Sequence, residues 1–310
     1  MTLSSSWIGI DISKAWLDIA DPACGSCVRL ANRPEPLAAF AAGLVSRDVT
    51  VIFEATGVYD TALRHALGAA GIGFARVNPQ RARDFARATG RLAKTDAIDA
   101  ALLAQMGQAL RLNADPAPDP DRERLALLGK RRDQLIAMRV QEKTRRADAT
   151  DAAIIADLDL HLAWLDKTIT AIETTLRDLI AACPALGANE ALIRSVPGVG
   201  PVTATTLIAL MPELGQRSAK QIAMLAGLAP VNNDSGTHRG QRTIRAGRRR
   251  VRQALYMAAV AALTSRSPMK AHYKKLREAG KPAKVALIAL ARKILVTLNA
   301  IVKTQTPFNA

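Results

Sequence analysis

Cysteine is scarce. The chain has three in 310 residues. Cys24 and Cys27 form a C-x-x-C pair and Cys183 stands alone. A zinc site normally needs a second ligand pair, and none follows, so the pair reads as turn residues between two strands. Free thiols fit a reducing cytoplasm. The N-terminus lacks the basic and long apolar segments of a signal peptide. No long run of apolar residues goes unbroken. The most apolar late stretch, residues 285–302, is interrupted by Arg292 and Lys293, which predicts a packed helix rather than a membrane span. There is no G-x-x-x-x-G-K-[ST] loop, so ATP is not expected to drive the chemistry. Acidic residues are nearly missing from one end. Residues 181–310 hold 20 Lys/Arg against 4 Asp/Glu, whereas residues 1–180 hold 23 of each. The whole formal excess of +16 therefore lies in the C-terminal part, where a polyanion would bind.

The first hundred residues contain acids in unusual company. Asp11 interrupts the apolar run 7–12, and Glu54 ends the run 49–54. Asp96 and Asp99 form a D-x-x-D pair. A carboxylate in a strand-like apolar run is costly to bury unless it binds something, usually a metal. Oxygen donors suit Mg²⁺ or Mn²⁺, and ions held this way assist phosphodiester cleavage. Residues 7–12, 16–20, 27–31, 49–53 and 73–77 read as strands. Residues 38–44 and 61–70 read as helices between them. This order predicts an α/β domain with an early antiparallel meander on the ribonuclease H-like plan. There the first and fourth strands adjoin, and Asp11 meets Glu54. One helix over about residues 80–108 would present Asp96 and Asp99 on one face.

The proline-rich string 115–121 predicts a hinge. Ile155, Leu158, Leu162, Leu165, Ile169, Ile172, Leu176 and Leu179 then alternate spacings of three and four, the seam of a coiled coil. The preceding helix, about 122–147, carries a similar seam. A helical hairpin and a dimerising coiled coil both satisfy it. Three domains follow: 1–114 α/β, 115–184 hinge and coiled coil, and 185–310 basic and all-α.

In the last part, P-G-V-G-P at 197–201 resembles a helix-hairpin-helix turn. Gly198 and Gly200 allow the tight turn, and the following helix start can hold a phosphate. Ser218 to Gln221 is a capping box. Arg239 to Arg252 contains seven arginines in fourteen residues. Of these, Arg239, Arg242, Arg245, Arg248 and Arg249 are candidates for phosphate contacts. Ser235-Gly236 lies in the loop just before them. Tyr256 is a rival nucleophile by its chemistry, but its A-L-Y-M-A-A stretch reads as core.

Together these strings resemble the DEDD transposases of bacterial insertion sequences, a family of RNA-guided serine recombinases. The resemblance rests on G-I-D-I-S around Asp11, E-A-T-G-V-Y around Glu54 and K-T-D-A-I-D-A around Asp96 and Asp99. It continues in P-G-V-G-P, L-A-G-L-A-P, the Ser235-Gly236 pair and A-L-Y-M-A-A. It implies a RuvC-like N-terminal domain and a coiled-coil middle. It also implies a divalent metal on Asp11, Glu54, Asp96 and Asp99. Ser235 would be the nucleophile on DNA, with His238 a possible assistant. DNA, a guide RNA and further copies of the chain would be partners, in a bacterial cytoplasm at the nucleoid. A RuvC-like nuclease using water and a non-catalytic nucleic-acid binder are the competing expectations.

Overall fold

The computed structural model describes residues 6–55, 57–91, 95–232, 234–240, 242–264 and 268–309. Thr56 and Lys94 of the strings above lie outside them. The chain divides into two compact units, Met1–Asp119 and Pro120–Ala310.

The first unit opens with three strands, β1 (Ser6–Ile12), β2 (Trp16–Ala20) and β3 (Cys27–Ala31). Then follow α1 (Pro34–Ala42), β4 (Val49–Glu54), α2 (Thr61–Ala69) and β5 (Gly73–Val77). The sheet order is β3-β2-β1-β4-β5. The first three strands are antiparallel, and β1, β4 and β5 run parallel. The expected adjacency of first and fourth strands is therefore present. Central strands covered on both sides explain the near-continuous apolar runs. Ile8, Ile10 and Phe53 pack with Leu37 of α1 and Leu63 of α2. On the other face, Trp7 and Ile52 pack with Leu103 and Met106.

Those last two residues belong to α4 (Asp96–Leu110), which follows α3 (Pro79–Ala88). The single helix expected over 80–108 is thus two. Gly90, at φ +71°, stands just beyond α3. Thr95 then caps α4 by accepting the Ile98 N–H at 3.2 Å. The proline-rich string is also less free than a hinge. The Asp115 N–H donates to Phe74 O at 2.7 Å, and the Asp115 carboxylate accepts the Arg76 N–H at 2.8 Å. Cys24 and Cys27 are free and exposed, Cys24 in the β2–β3 turn and Cys27 at the start of β3.

The second unit begins with α5 (Pro120–Asp148) and α6 (Ala152–Ala182). They form a hairpin around a three-residue connection that Asp151 caps. Leu165 and Ile169 of the α6 seam pack on Leu135, and Leu176 and Ile180 join the main core. The seam is therefore covered, at least in these parts, by its own chain. Next come α7 (Pro184–Arg194), α8 (Pro201–Leu210) and α9 (Ala219–Leu225). The expected capping box of Ser218 and Gln221 opens α9. Four two-residue strands follow: β6 (Pro230–Val231), β7 (Asp234–Ser235), β8 (His238–Arg239) and β9 (Thr243–Ile244). The chain ends in α10 (Arg249–Ala262), α11 (Pro268–Glu278) and α12 (Ala283–Thr304). The apolar α12 is a core helix, with Leu290, Ile294, Leu295 and Leu298 fully buried.

Candidate metal centre and nucleic-acid interface

Alternation along β1 decides where Asp11 points. Trp7, Gly9 and Asp11 share one face, and that face meets α4. A Cβ on Gly9 would collide with Ala100 O and stand 2.5 Å from Ala104 N. One on Gly107 would stand 2.5 Å from Trp7 Cδ2. So α4 runs against β1, with its late turns over Trp7 and its middle over Gly9. Its first turn, carrying Asp96 and Asp99, comes to Asp11. The charges register this. Burial pushes the Asp11 carboxyl above its usual value, and the negative charges of Asp99, Asp96 and Asp18 push it further.

Register extends the acidic face across the sheet. Asp11 pairs with Asp18 on β2, and Asp18 pairs with Arg29 on β3. On the other side, the parallel register brings Phe53 beside Ile10, so Glu54 comes level with Asp11 one step on. Ile52 faces α4 and Glu54 lies two residues further, so it shares that face. Asp18 is only 8 % exposed. Arg29 holds it with a two-pronged contact, Nε to Oδ1 at 2.9 Å and Nη2 to Oδ2 at 3.0 Å. The same Nη2 reaches Asp96 Oδ2 at 3.0 Å.

Two further residues fix the loops beyond the acids. Asn32 donates from Nδ2 to Ser13 O at 2.9 Å and to Tyr59 O at 3.0 Å, tying the turn after Asp11 to the loop after Glu54. Asp60, fully buried, accepts from Arg64 Nε at 3.3 Å and Arg76 Nε at 2.8 Å. Sequence reasoning missed Asp18, Arg29, Asn32 and Asp60. Asp18 carried a visible signal, being a second acid inside an apolar run, Leu17-Asp18-Ile19.

The donor set is wholly hard oxygen, which suits a divalent cation, and the neighbouring acids add to the burial that pushes the Asp11 carboxyl up. Yet among the described residues no three His, Cys, Asp or Glu are gathered closely enough to hold an ion as they stand. One of the acids, Asp96, is engaged by Arg29 instead.

In the second unit, Ser235 lies on a small β-arm. Its outer rungs pair Pro230 with Ile244 and Val231 with Thr243. Its inner rungs pair Asp234 with Arg239 and Ser235 with His238. Gly236, at φ +55°, opens the tight turn beside the exposed Ser235. Two strand pairs thus stand in the expected loop, with strands too short for any sequence period to reveal. The His238 side chain lies outside the described residues.

The arginines divide. Arg239, Arg242, Arg245 and Arg249 are exposed. Arg248 instead grips Glu213 with two contacts of 2.6 Å and donates to Leu210 O at 2.8 Å. Burial alone would raise the Glu213 carboxyl, but the hydrogen bonds and charge of Arg248 outweigh it, and Glu213 lies below the usual range. Arg250 pairs with Asp133 at 2.8 Å, and Arg252 donates to Ala246 O at 2.7 Å. Gly198, at φ +88°, presses on α10, where a Cβ would stand 2.5 Å from Ala258 O. Its glycine is required by packing. Gly200 opens α8 without a side-chain cap. Tyr256 is only half-buried and lines a groove with Arg252, Met257 and Lys284, so it is not the core residue expected.

Known proteins share this arrangement in sequence. A DEDD-type profile described as Transposase matches residues 8–147, and one described as Transposase IS116/IS110/IS902 family matches residues 190–274. The Pilin gene-inverting protein of Moraxella bovis is 30% identical over 99% of this chain and 98% of its own length. The chain belongs to the IS110/IS116 transposase family. The Moraxella lacunata Pilin gene-inverting protein is 29% identical over the same shares. The Insertion element IS116 protein of Streptomyces clavuligerus is 31% identical over 56% of this chain and 43% of its own. This transposase is thus a DNA recombinase, and its DEDD-type domain implies dependence on a divalent metal.

Proposed function

We propose that this transposase cleaves and rejoins DNA through a covalent serine intermediate, with Ser235 as nucleophile and Mg²⁺ or Mn²⁺ on Asp11, Glu54, Asp96 and Asp99. The observation that carries the reading is Ser235 itself. It is exposed beside a turn glycine, on an arm that also bears Arg239 and leads to Arg242, Arg245 and Arg249. These arginines neutralise and orient the phosphates on either side of the scissile one. The Ser235 Oγ–P bond forms as the P–O bond to one deoxyribose breaks. The serine proton leaves to base or solvent, and the departing oxygen takes one up. Attack by a hydroxyl of a second strand reverses the step and frees the serine. Bond energy is kept in the phosphoserine, so rejoining needs no ATP. A bound divalent ion lowers the cost of charge on the phosphate and activates an oxygen nucleophile. Asp11 and Glu54 form the rigid half of its seat, because both lie near the C-terminal ends of adjacent inner strands.

The finer partners follow the same reading. Residues 1–114 handle metal, 115–184 form the helical spacer, and 185–310 bind DNA, with Gly200 opening a helix start for phosphate. A guide RNA selects the site, and copies of the chain assemble for strand exchange.

A denaturing gel with a cleavable junction tests the nucleophile. Wild-type protein should give an adduct that protease removes. Ser235→Ala should bind DNA normally and form none, because a methyl group cannot attack phosphorus. Strand cleavage at the wild-type rate by Ser235→Ala would instead establish the water-using nuclease.

A further inference from the structure

Arg29 bridges the acidic face to α4. It stands in the row Arg29–Asp18–Asp11 that crosses β3, β2 and β1. Its two halves differ. Toward Asp18 it makes a fork on a carboxylate that is nearly buried, with a side chain 11 % exposed. Toward Asp96 it makes one contact to a carboxylate whose side chain is 63 % exposed. A forked pair with a buried acid is strong and geometrically fixed. A single contact between two exposed groups contributes little and is easily exchanged. The arginine is thus anchored at one end and loosely engaged at the other, and the loose end holds one of the four acids assigned to the metal.

We propose that Arg29 is a built-in counter-cation. In the metal-free protein it holds Asp96 in place of the ion and offsets the repulsion among Asp11, Asp18, Asp96 and Asp99. When a divalent ion arrives, Asp96 leaves Arg29 for the metal, while Arg29 stays on Asp18. Asp18 then serves as the anchor of a positioning residue and is not itself a metal ligand. The inference rests on the metal reading above and adds a competitor to it.

Mn²⁺ affinity, measured by calorimetry or by the loss of free-ion paramagnetic signal on the full chain without DNA, tests the exchange. Arg29→Gln removes the competing charge, so Mn²⁺ should bind roughly two- to fivefold more tightly than to wild type, the range that an exposed ion pair supplies. With Asp96→Asn as background, the Arg29→Gln change should bring no gain, because the shared partner is already lost. If Arg29→Gln does not fold, Arg29→Met keeps the stem packing and carries the same expectation. Unchanged or weaker binding in the single variant overturns the exchange, and so does a gain that persists in the Asp96→Asn background. A wild-type protein that binds no Mn²⁺ overturns the metal reading together with this inference, so the two failures are distinguishable.

Discussion

The two units treat charge in opposite ways. Residues 1–119 hold 12 Lys/Arg and 12 Asp/Glu, while residues 120–310 hold 31 and 15, which is the whole excess of +16. The neutral unit is where like charges crowd, because Asp11, Asp18, Asp96 and Asp99 meet on one sheet face with Arg29 among them. The basic unit looks crowded in sequence but is not uniformly so in space. Arg248, Arg250 and Arg252 are turned into ion pairs and carbonyl contacts. Net charge therefore says little about where a site lies. What matters is which charges the fold satisfies internally and which it leaves facing outward.

A charge placed where the basic unit has only apolar packing should do the most damage. Ile169→Asp, in the covered seam of the hairpin, should cost about 4 kcal/mol, since a buried carboxylate gains no partner there. A thermal melt of the chain reads this. A melting temperature unmoved would mean that the seam is not packed within the chain. Gly9→Ala tests the neutral unit in the same way. Its methyl group would meet the α4 backbone, which cannot turn aside, and the loss should be about 3 kcal/mol together with weaker metal binding.

A third comparison lies inside the arginine run. Arg248→Ala should destabilise the protein by about 2 kcal/mol, less than for a fully buried pair because Arg248 is partly exposed. Arg249→Ala should leave stability alone and lower DNA affinity at all sequences, removing roughly 0.9 from the slope of log affinity against log salt per lost phosphate contact. Equal melting curves with equal salt slopes would erase the distinction. The smallest effect belongs to Asp11→Asn without metal. The Asp11 carboxyl titrates above its usual 3.8, so the fold binds a proton there more tightly than the unfolded chain does. Its stabilising share is present below the unfolded value and is lost as pH rises through the folded one. At neutral pH the melting temperature should therefore stay equal or rise slightly on substitution. A clear fall would show that the ionised Asp11 supports the apo fold.

Much of the sheet unit was legible because its central strands are buried on both faces and so read as apolar runs between turn residues. The adjacency of Asp11 and Glu54 followed from strand order. Asp18 and Arg29 escaped because their meaning lies in register: neither is unusual alone, and only the pairing of β1, β2 and β3 aligns them with Asp11. The break between α3 and α4 had a local sign in Thr95, a capping residue just before the acids. The β-arm had no such sign, since two-residue strands carry no period. Nor could composition reveal that Arg248 belongs to Glu213, 35 positions away.

Two glycines fix the foot of that arm. Gly227 and Gly247, at φ +69° and +72°, meet backbone to backbone, where neither has room for a side chain. The Arg248 N–H donates to Leu225 O at 2.8 Å just beside them. The two ends of the excursion are thus clasped independently of whatever lies between. Such a clasp behaves like a socket. It sets where the arm leaves and rejoins the helical core, so that the helices on either side keep their places while Ser235 is held out from them.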